Sequence, residues 1–129
     1  MAKFLIDTNF LIYCIKKHVL LDDLFQVSAA ADKIVIPSNV IDELISTAHG
    51  DLAIVQIARL LLQGKKLKGL VNCKYTVLKA SGKVDDFLIL LAQPGDYVCT
   101  HDKELSRKVK QKAASIGIIN ISGKRMIVK

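Results

Sequence analysis

Short, nearly uninterrupted apolar runs alternate along the chain with stretches of helical spacing, the pattern of strands buried in a sheet and helices packed on its faces. Lys3–Ile6 is the first such run. It ends in Asp7-Thr8-Asn9, residue types that cap helices, so a helix is expected over Phe10–Lys17. Leu21–Ala31 has helical spacing, and Lys33–Ile36 reads as a β-branched strand stopped by Pro37. Ser38 reads as an N-cap for a helix carrying Val40, Ile41, Leu44, Ile45 and Ala48, ended by Gly50, and a further helix is expected over Asp51–Gln63. Lys68–Asn72 reads as a short strand and Cys73–Lys83 as a loop. Val84–Ala92 is apolar nearly all round except for Asp85 and Asp86, which predicts a central helix covered on more than one side and ended by Pro94-Gly95. A strand over Tyr97–Thr100, a helix capped by Asp102 and reaching about Ser115, a strand over Gly117–Ile121 and an edge strand over Arg125–Val128 complete the pattern. Strands alternating with helices predict an α/β sandwich with a mostly parallel sheet.

With 129 residues, 51% of them apolar, the chain is expected to form one domain over 1–129 that supports its own core without disulfides or a structural metal. No repeat, linker or low-complexity segment divides it. No stretch reaches 18 uncharged apolar residues, and the N-terminal apolar run is cut by Asp7 before it could serve as a signal peptide. A cytoplasmic protein with no membrane association is expected. Cys14, Cys73 and Cys99 lack CxxC spacing and sit among apolar neighbours, which predicts reduced thiols and neither a disulfide nor a zinc site.

Charge sharpens the picture. The net charge is +7, a bias toward polyanionic partners such as nucleic acid. Leu52–Val84 carries Arg59, Lys65, Lys66, Lys68, Lys74, Lys79 and Lys83 with no acid, and Lys103–Lys129 has Glu104 as its only acid. The acids gather elsewhere, around Asp7, Asp22-Asp23, Asp42-Glu43, Asp85-Asp86 and Asp102. Asp7 and Asp102 each follow a predicted strand, and ligands of open α/β sheets bind at the carboxyl ends of strands. Glu43, in the first turns of its helix, and Asp85, at the start of the central one, can face the same rim. Carboxylates brought together there repel one another by several kcal/mol per close pair at an effective dielectric near about 20, and a cation relieves this. Oxygen donors without a His or Cys cluster suit Mg²⁺ or Mn²⁺. Beside a basic surface, such a site points to metal-assisted phosphodiester hydrolysis.

Periodicity alone does not choose between Asp42 and Glu43, which both flank the stripe of Val40, Ile41, Leu44 and Ala48; it sets Asp85 at the border of its stripe and Asp86 further out. Helix capping accounts equally for Asp7 and Asp102 taken singly. GxGxxG and GxxxxGK[ST] are both absent, which argues against a nucleotide-binding domain. A phosphorelay receiver would carry its acid pair by the first strand, whereas the pair here is Asp85-Asp86.

Four segments together carry a family resemblance. Ile6-Asp7-Thr8-Asn9-Phe10-Leu11 resembles the opening DTN motif of PIN-domain ribonucleases, Pro37-Ser38-Asn39-Val40-Ile41-Asp42-Glu43-Leu44 their second-acid segment, Gly82-Lys83-Val84-Asp85-Asp86 the third and Thr100-His101-Asp102-Lys103-Glu104-Leu105 the fourth. The resemblance covers nearly the whole chain and is greatest to archaeal relatives of the PIN nuclease that processes precursor ribosomal RNA, with VapC-type toxins as near neighbours. It implies a three-layer α/β/α PIN-like fold and an Mg²⁺- or Mn²⁺-dependent endoribonuclease. By that likeness Asp7, Glu43, Asp85 and Asp102 hold the metal and carry catalysis, and Thr8 and Thr100 support them by hydrogen bonds. Asp86 and Glu104 are candidate outer acids. Expected partners are RNA, a second copy of the chain, and an antitoxin or a ribosome-assembly component. A non-catalytic RNA- or protein-binding module on the same scaffold is the competing reading. Lys65, Lys66 and Lys68, and Lys103, Arg107 and Lys110 on one side of their helix, are candidate RNA contacts. His101 stands where the family often has Asn or a basic residue.

Overall fold

The computed structural model describes residues 2–129. Strands β1 (Ala2–Ile6), β2 (Ala31–Pro37), β3 (Thr76–Leu78), β4 (Tyr97–Cys99), β5 (Gly117–Ser122) and β6 (Arg125–Val128) form one sheet in the order β3-β2-β1-β4-β5-β6. β1 to β5 are parallel, and β6 returns antiparallel to β5. Helices α1 (Thr8–Lys17), α2 (Leu24–Val27), α3 (Ser38–Thr47), α4 (Leu52–Leu62), α5 (Val84–Leu91) and α6 (Lys103–Lys112) fill the connections. The chain leaves β1 in one direction for β2 and β3, then crosses to its other side for β4 and β5. Right-handed crossovers therefore put α1 to α4 on one face and α5 and α6 on the other. The contacts of α1 with α3, α3 with α4 and α5 with α6 agree.

β1 is the point where the direction of winding reverses, with β2 on one side and β4 on the other. Between β1 and β4 the connections diverge to opposite faces, which opens a crevice at the carboxyl ends of these strands. Leu5 pairs with both Val35 and Val98, which centres β1 in the sheet. Phe4, Leu5, Ile6, Ile34, Ile36, Val98 and Ile119 are sealed from solvent, and Phe10, Leu11, Ile41, Leu44, Leu105 and Val109 close on them from the helices. Interior parallel strands are covered on both faces, so their sequences read as apolar runs without alternation.

Several expectations are corrected. Leu21–Ala31 forms only a 3₁₀ turn at Leu21–Asp23 and the single turn of α2. Ser28 is extended at its end, its hydroxyl taken by Tyr97 Oη and the Ala30 amide, and β2 starts at Ala31. Pro37 belongs to β2 as its last residue, paired with Leu78 of β3, and leads directly into α3. Ser38 does not cap α3: its hydroxyl donates to Ala80 O at 3.0 Å and accepts from Ala80 N at 2.8 Å, tying α3 to the segment after β3. Lys68–Asn72 is not a strand; Leu67 and Val71 make one isolated bridge around Gly69, whose φ of +87° needs glycine. The segment read as a loop contains β3, three half-buried residues, too short for alternation to register. α5 is not wrapped on several sides: Leu90 is 74% exposed. α6 stops at Lys112 because Ala113 is extended, which lets the chain turn and bury Ile116. Cys14 and Cys99 are buried, Cys73 partly so, and all three thiols are free. Among the described residues no helix is long and apolar enough to cross a membrane.

Candidate metal centre

Asp7 follows β1 directly and is 4% exposed. Its backbone N–H continues the ladder to Cys99 O at 3.0 Å, so the residue is fixed by β4 before its side chain makes any bond. Oδ1 accepts the Thr8 amide at 2.8 Å and caps α1, while Oδ2 accepts the Thr100 hydroxyl at 2.6 Å. Burial pushes its pKa up to about 6; the Thr100 and Thr8 bonds oppose the rise, and the charges of Asp85 and Glu43 add to it. Capping and membership in an acid cluster are thus combined in one carboxylate.

Above it lies a cleft of about 350 Å³ lined by Glu43, Lys83, Val84, Asp85 and Asp102. Glu43 comes from α3, Asp85 from the first turn of α5, and Asp102 caps α6, its Oδ1 accepting the Glu104 and Leu105 amides at 2.9 and 3.1 Å. The Asp85 carboxyl is raised by burial first, then by Asp102 and Glu43, with Lys108 opposing and Asp86 adding a little. The sheet's reversal point thus gathers acids from four segments: the caps of α1 and α6, the first turn of α5 and the middle of α3. They share the cleft without closing on one point: among the described residues no three His, Cys, Asp or Glu side chains stand close enough to enclose an ion. The donor set still fits a hard divalent cation. It is all oxygen, the carboxyls of Asp7 and Asp85 are both raised by burial and in part by neighbouring acids, and two buried oxygens, Thr8 Oγ1 and Asn39 Oδ1, have no partner. Thr8 follows Asp7 in the chain, and Asn39 lies one helical turn before Glu43.

The other predicted residues distribute as follows. Thr100 is fully buried and joins the centre: besides Asp7 it receives the Asp102 amide at 3.0 Å. Thr8 contributes its backbone N–H rather than its hydroxyl. Asp42 and Asp86 are exposed and do not line the cleft. Glu104 is exposed and paired with Arg107, which holds its carboxyl below the usual range through their hydrogen bond. Lys103, Arg107 and Lys110 line a second, basic cleft beside the first, whereas Lys65, Lys66 and Lys68 are exposed in a loop that lines neither.

Two residues escaped the sequence reading. Asn9 Oδ1 accepts the His101 amide at 3.0 Å, so the Asn of the DTN segment pins the loop that bears Asp102. Lys83, at the N-cap of α5, is the one cation lining the acid cleft. His101 itself turns away from the acids, stacked on Phe10 and Tyr13, with Nε2 accepting the Ile121 amide at 3.0 Å.

The chain is similar to a solved structure described as that of the PIN domain endonuclease Utp24, at 20% sequence identity and a TM-score of 0.71, over 98% of this chain and 90% of that one. This is a PIN fold. At that identity the likeness speaks for the architecture, the three-layer α/β/α sandwich with its mostly parallel sheet. No protein-family model matches the chain, and no curated protein matches it. In the PIN fold described here the acid cleft lies where β1 and β4 part, at the carboxyl edge of the sheet.

Proposed function

We propose that this PIN-fold chain is a single-domain, Mg²⁺- or Mn²⁺-dependent endoribonuclease acting through Asp7, Glu43, Asp85 and Asp102, of the kind that processes ribosomal RNA. One observation carries the reading: a basic protein gathers mutually repelling carboxylates from distant segments into one cleft, at the position where α/β sheets bind ligands. A structural role for such a cluster is implausible on energetic grounds, because each acid raises the cost of charging its neighbours. The four sequence segments that resemble PIN ribonucleases bear the same four acids, and the ribosomal-RNA assignment rests on that resemblance.

Asp7, Glu43, Asp85 and Asp102 would hold the cation. A metal bound there would supply an activated water at neutral pH and stabilise the developing negative charge on the phosphate oxygens. The chain's own contribution is orientation. Thr100 fixes the Asp7 carboxylate and the Asp102 amide at once, Asn9 fixes the intervening loop, and the α6 amides hold one Asp102 oxygen, leaving Oδ2 outside these bonds. Lys83 stands at the mouth, where an RNA phosphate would meet it. In-line attack by water leaves 5′-phosphate and 3′-hydroxyl ends.

The test is incubation of labelled RNA with the protein and with an Asp7→Asn, Asp102→Asn double variant, in Mn²⁺, Mg²⁺ or EDTA. Cleavage by the parent alone, lost in EDTA, is expected. RNA binding equal in both proteins with no cleavage under either metal would overturn the nuclease and leave a binding module.

A further inference from the structure

Building on that reading, we infer that the cleft between α6 and β5 is a nucleotide pocket, seating the RNA unit next to the phosphate being cut. The recess measures about 310 Å³, at the small end of ligand pockets, which run from about 300 Å³ upward. Ile118 and Asn120, two apart on β5 and so on one face of the sheet, form its floor. Lys103, Ser106, Arg107 and Lys110 share one face of α6 and form its wall. Lys129 also lines it, and no Asp or Glu side chain does. Each component suits one part of a nucleotide. Ile118, buried at 3% exposure, closes the floor, and the stems of Lys103 and Lys110 give an apolar surface for a base. The Asn120 amide offers a donor and an acceptor to a base edge. The cations take the phosphate. Arg107 is held only by Glu104 in an exposed i,i+3 pair, the kind of interaction worth little in water and open to exchange for a phosphate.

Position links this pocket to the acids. Thr100, His101 and Lys103 line the basic cleft while Asp102, between them in the chain, lines the acid one. The two recesses therefore share one loop, pinned by Asn9 and by the His101 ring on β5. A strand of RNA with its phosphate at Asp102 has its neighbouring nucleotide at the α6 wall.

The test uses AMP, UMP and inorganic phosphate as probes, titrated into the ¹⁵N-labelled protein in EDTA so that no metal contributes. Saturable shifts centred on Ile118, Asn120 and Lys110 are expected for both nucleotides, with a dissociation constant on the order of 1 mM. Phosphate alone should shift α6 only, and Lys110→Glu should weaken nucleotide binding about tenfold. The pocket is overturned by absent shifts, by phosphate reproducing the whole nucleotide pattern, or by an unaltered Lys110→Glu titration. RNA cleavage in Mn²⁺ is scored separately. Cleavage without nucleotide binding removes the pocket and keeps the nuclease; nucleotide binding without cleavage does the reverse.

Discussion

The Thr100 hydroxyl donates to Asp7 Oδ2 across 2.6 Å, joining residues 93 positions apart in the chain. Thr100 Oγ1 in turn accepts the Asp102 amide at 3.0 Å, so one buried hydroxyl sets the attitude of two carboxylate-bearing residues. This follows from the topology. Asp7 follows β1, Thr100 follows β4, and the two strands are parallel neighbours in register from Phe4–Tyr97 to Ile6–Cys99.

Thr100→Val keeps the shape and removes both bonds. It should lower stability by about 1–3 kcal/mol, the cost of leaving buried polar partners unmade, and raise the Asp7 pKa beyond about 6, since the Thr100 bond is the largest influence holding it down. Thr100→Ser should restore both properties. Denaturant unfolding and a carboxyl NMR titration in chelator would check this; an unmoved Asp7 titration in the Val variant contradicts it.

Asp7 makes the metal-free protein less stable as pH rises. Its pKa is 3.8 unfolded and about 6 folded, so below both values each state holds the proton and no penalty exists. Between them the unfolded chain releases its proton while the native carboxyl keeps it, so the unfolded state gains. Above about 6 the full penalty applies, about 3 kcal/mol for a shift of about two pK units. Asp7→Asn should flatten this slope and be more stable than the parent at pH 7.5 in EDTA. Urea unfolding of both proteins from pH 4 to 8 tests the sign.

How much of this was legible in the sequence depends on burial. β1, β2, β4 and β5 announce themselves because the stretches of each that are covered on both faces are short apolar runs. β3 does not, because Thr76-Val77-Leu78 is a half-covered edge of three residues. Helix starts were readable through Asp7, Asp51 and Asp102, whose side chains do accept amides; Ser38 misled because its hydroxyl is spent on Ala80. At the acid cluster, Glu43 and Asp42 are both exposed neighbours on one helix; periodicity does not separate them, the family resemblance selects Glu43, and the cleft between α3, α5 and α6 takes in Glu43 and leaves Asp42 out. Asn9 carried no signal of its own, because its partner, the His101 amide, lies 92 residues away.

Gly117 begins β5 opposite Tyr97 of β4. A Cβ there would stand 2.5 and 2.7 Å from the Tyr97 ring carbons Cδ2 and Cε2. The ring has little freedom to withdraw, being packed on Phe4 at 5.4 Å between centroids and bonded through its hydroxyl to Ser28 at 2.8 Å. Gly117→Ala should therefore cost about 1–3 kcal/mol, as overpacking does. Tyr97→Leu in the same background should recover part of the loss; a stable Gly117→Ala single variant would show that the ring yields.

At the amino ends of the same strands, Asp96 is 2% exposed and accepts from Lys3 N, Lys3 Nζ and Gln93 N at 3.1, 2.7 and 2.9 Å. Asp96→Ala strands these donors and should cost about 3–5 kcal/mol. The change lies at the sheet edge opposite the acid cleft, so Mn²⁺ binding measured by titration calorimetry, below the new melting temperature, should keep its affinity. A parallel loss of affinity would mean that the two edges are coupled.

Relief of repulsion gives the acid cleft a signature in stability alone. Without metal, Glu43 adds to the cost of charging Asp85 and Asp7, and Asp85 adds to that of Asp7, so Glu43→Gln and Asp85→Asn should each stabilise the protein in EDTA at pH 7.5. With Mn²⁺ the order inverts, because a ligand that binds only the native state adds about 2.7 kcal/mol at a hundredfold excess over its dissociation constant. For a chain of this size that is roughly 8–15 °C in melting temperature, and both variants should lose most of it. Asp42→Asn, on the same helix but outside the cleft, should change neither quantity. A structural acid cluster predicts a different outcome: no Mn²⁺-dependent gain in the parent, and loss rather than gain of stability in Glu43→Gln and Asp85→Asn. Melting curves of the four proteins in EDTA and in Mn²⁺ separate the two cases without any measurement of RNA cleavage.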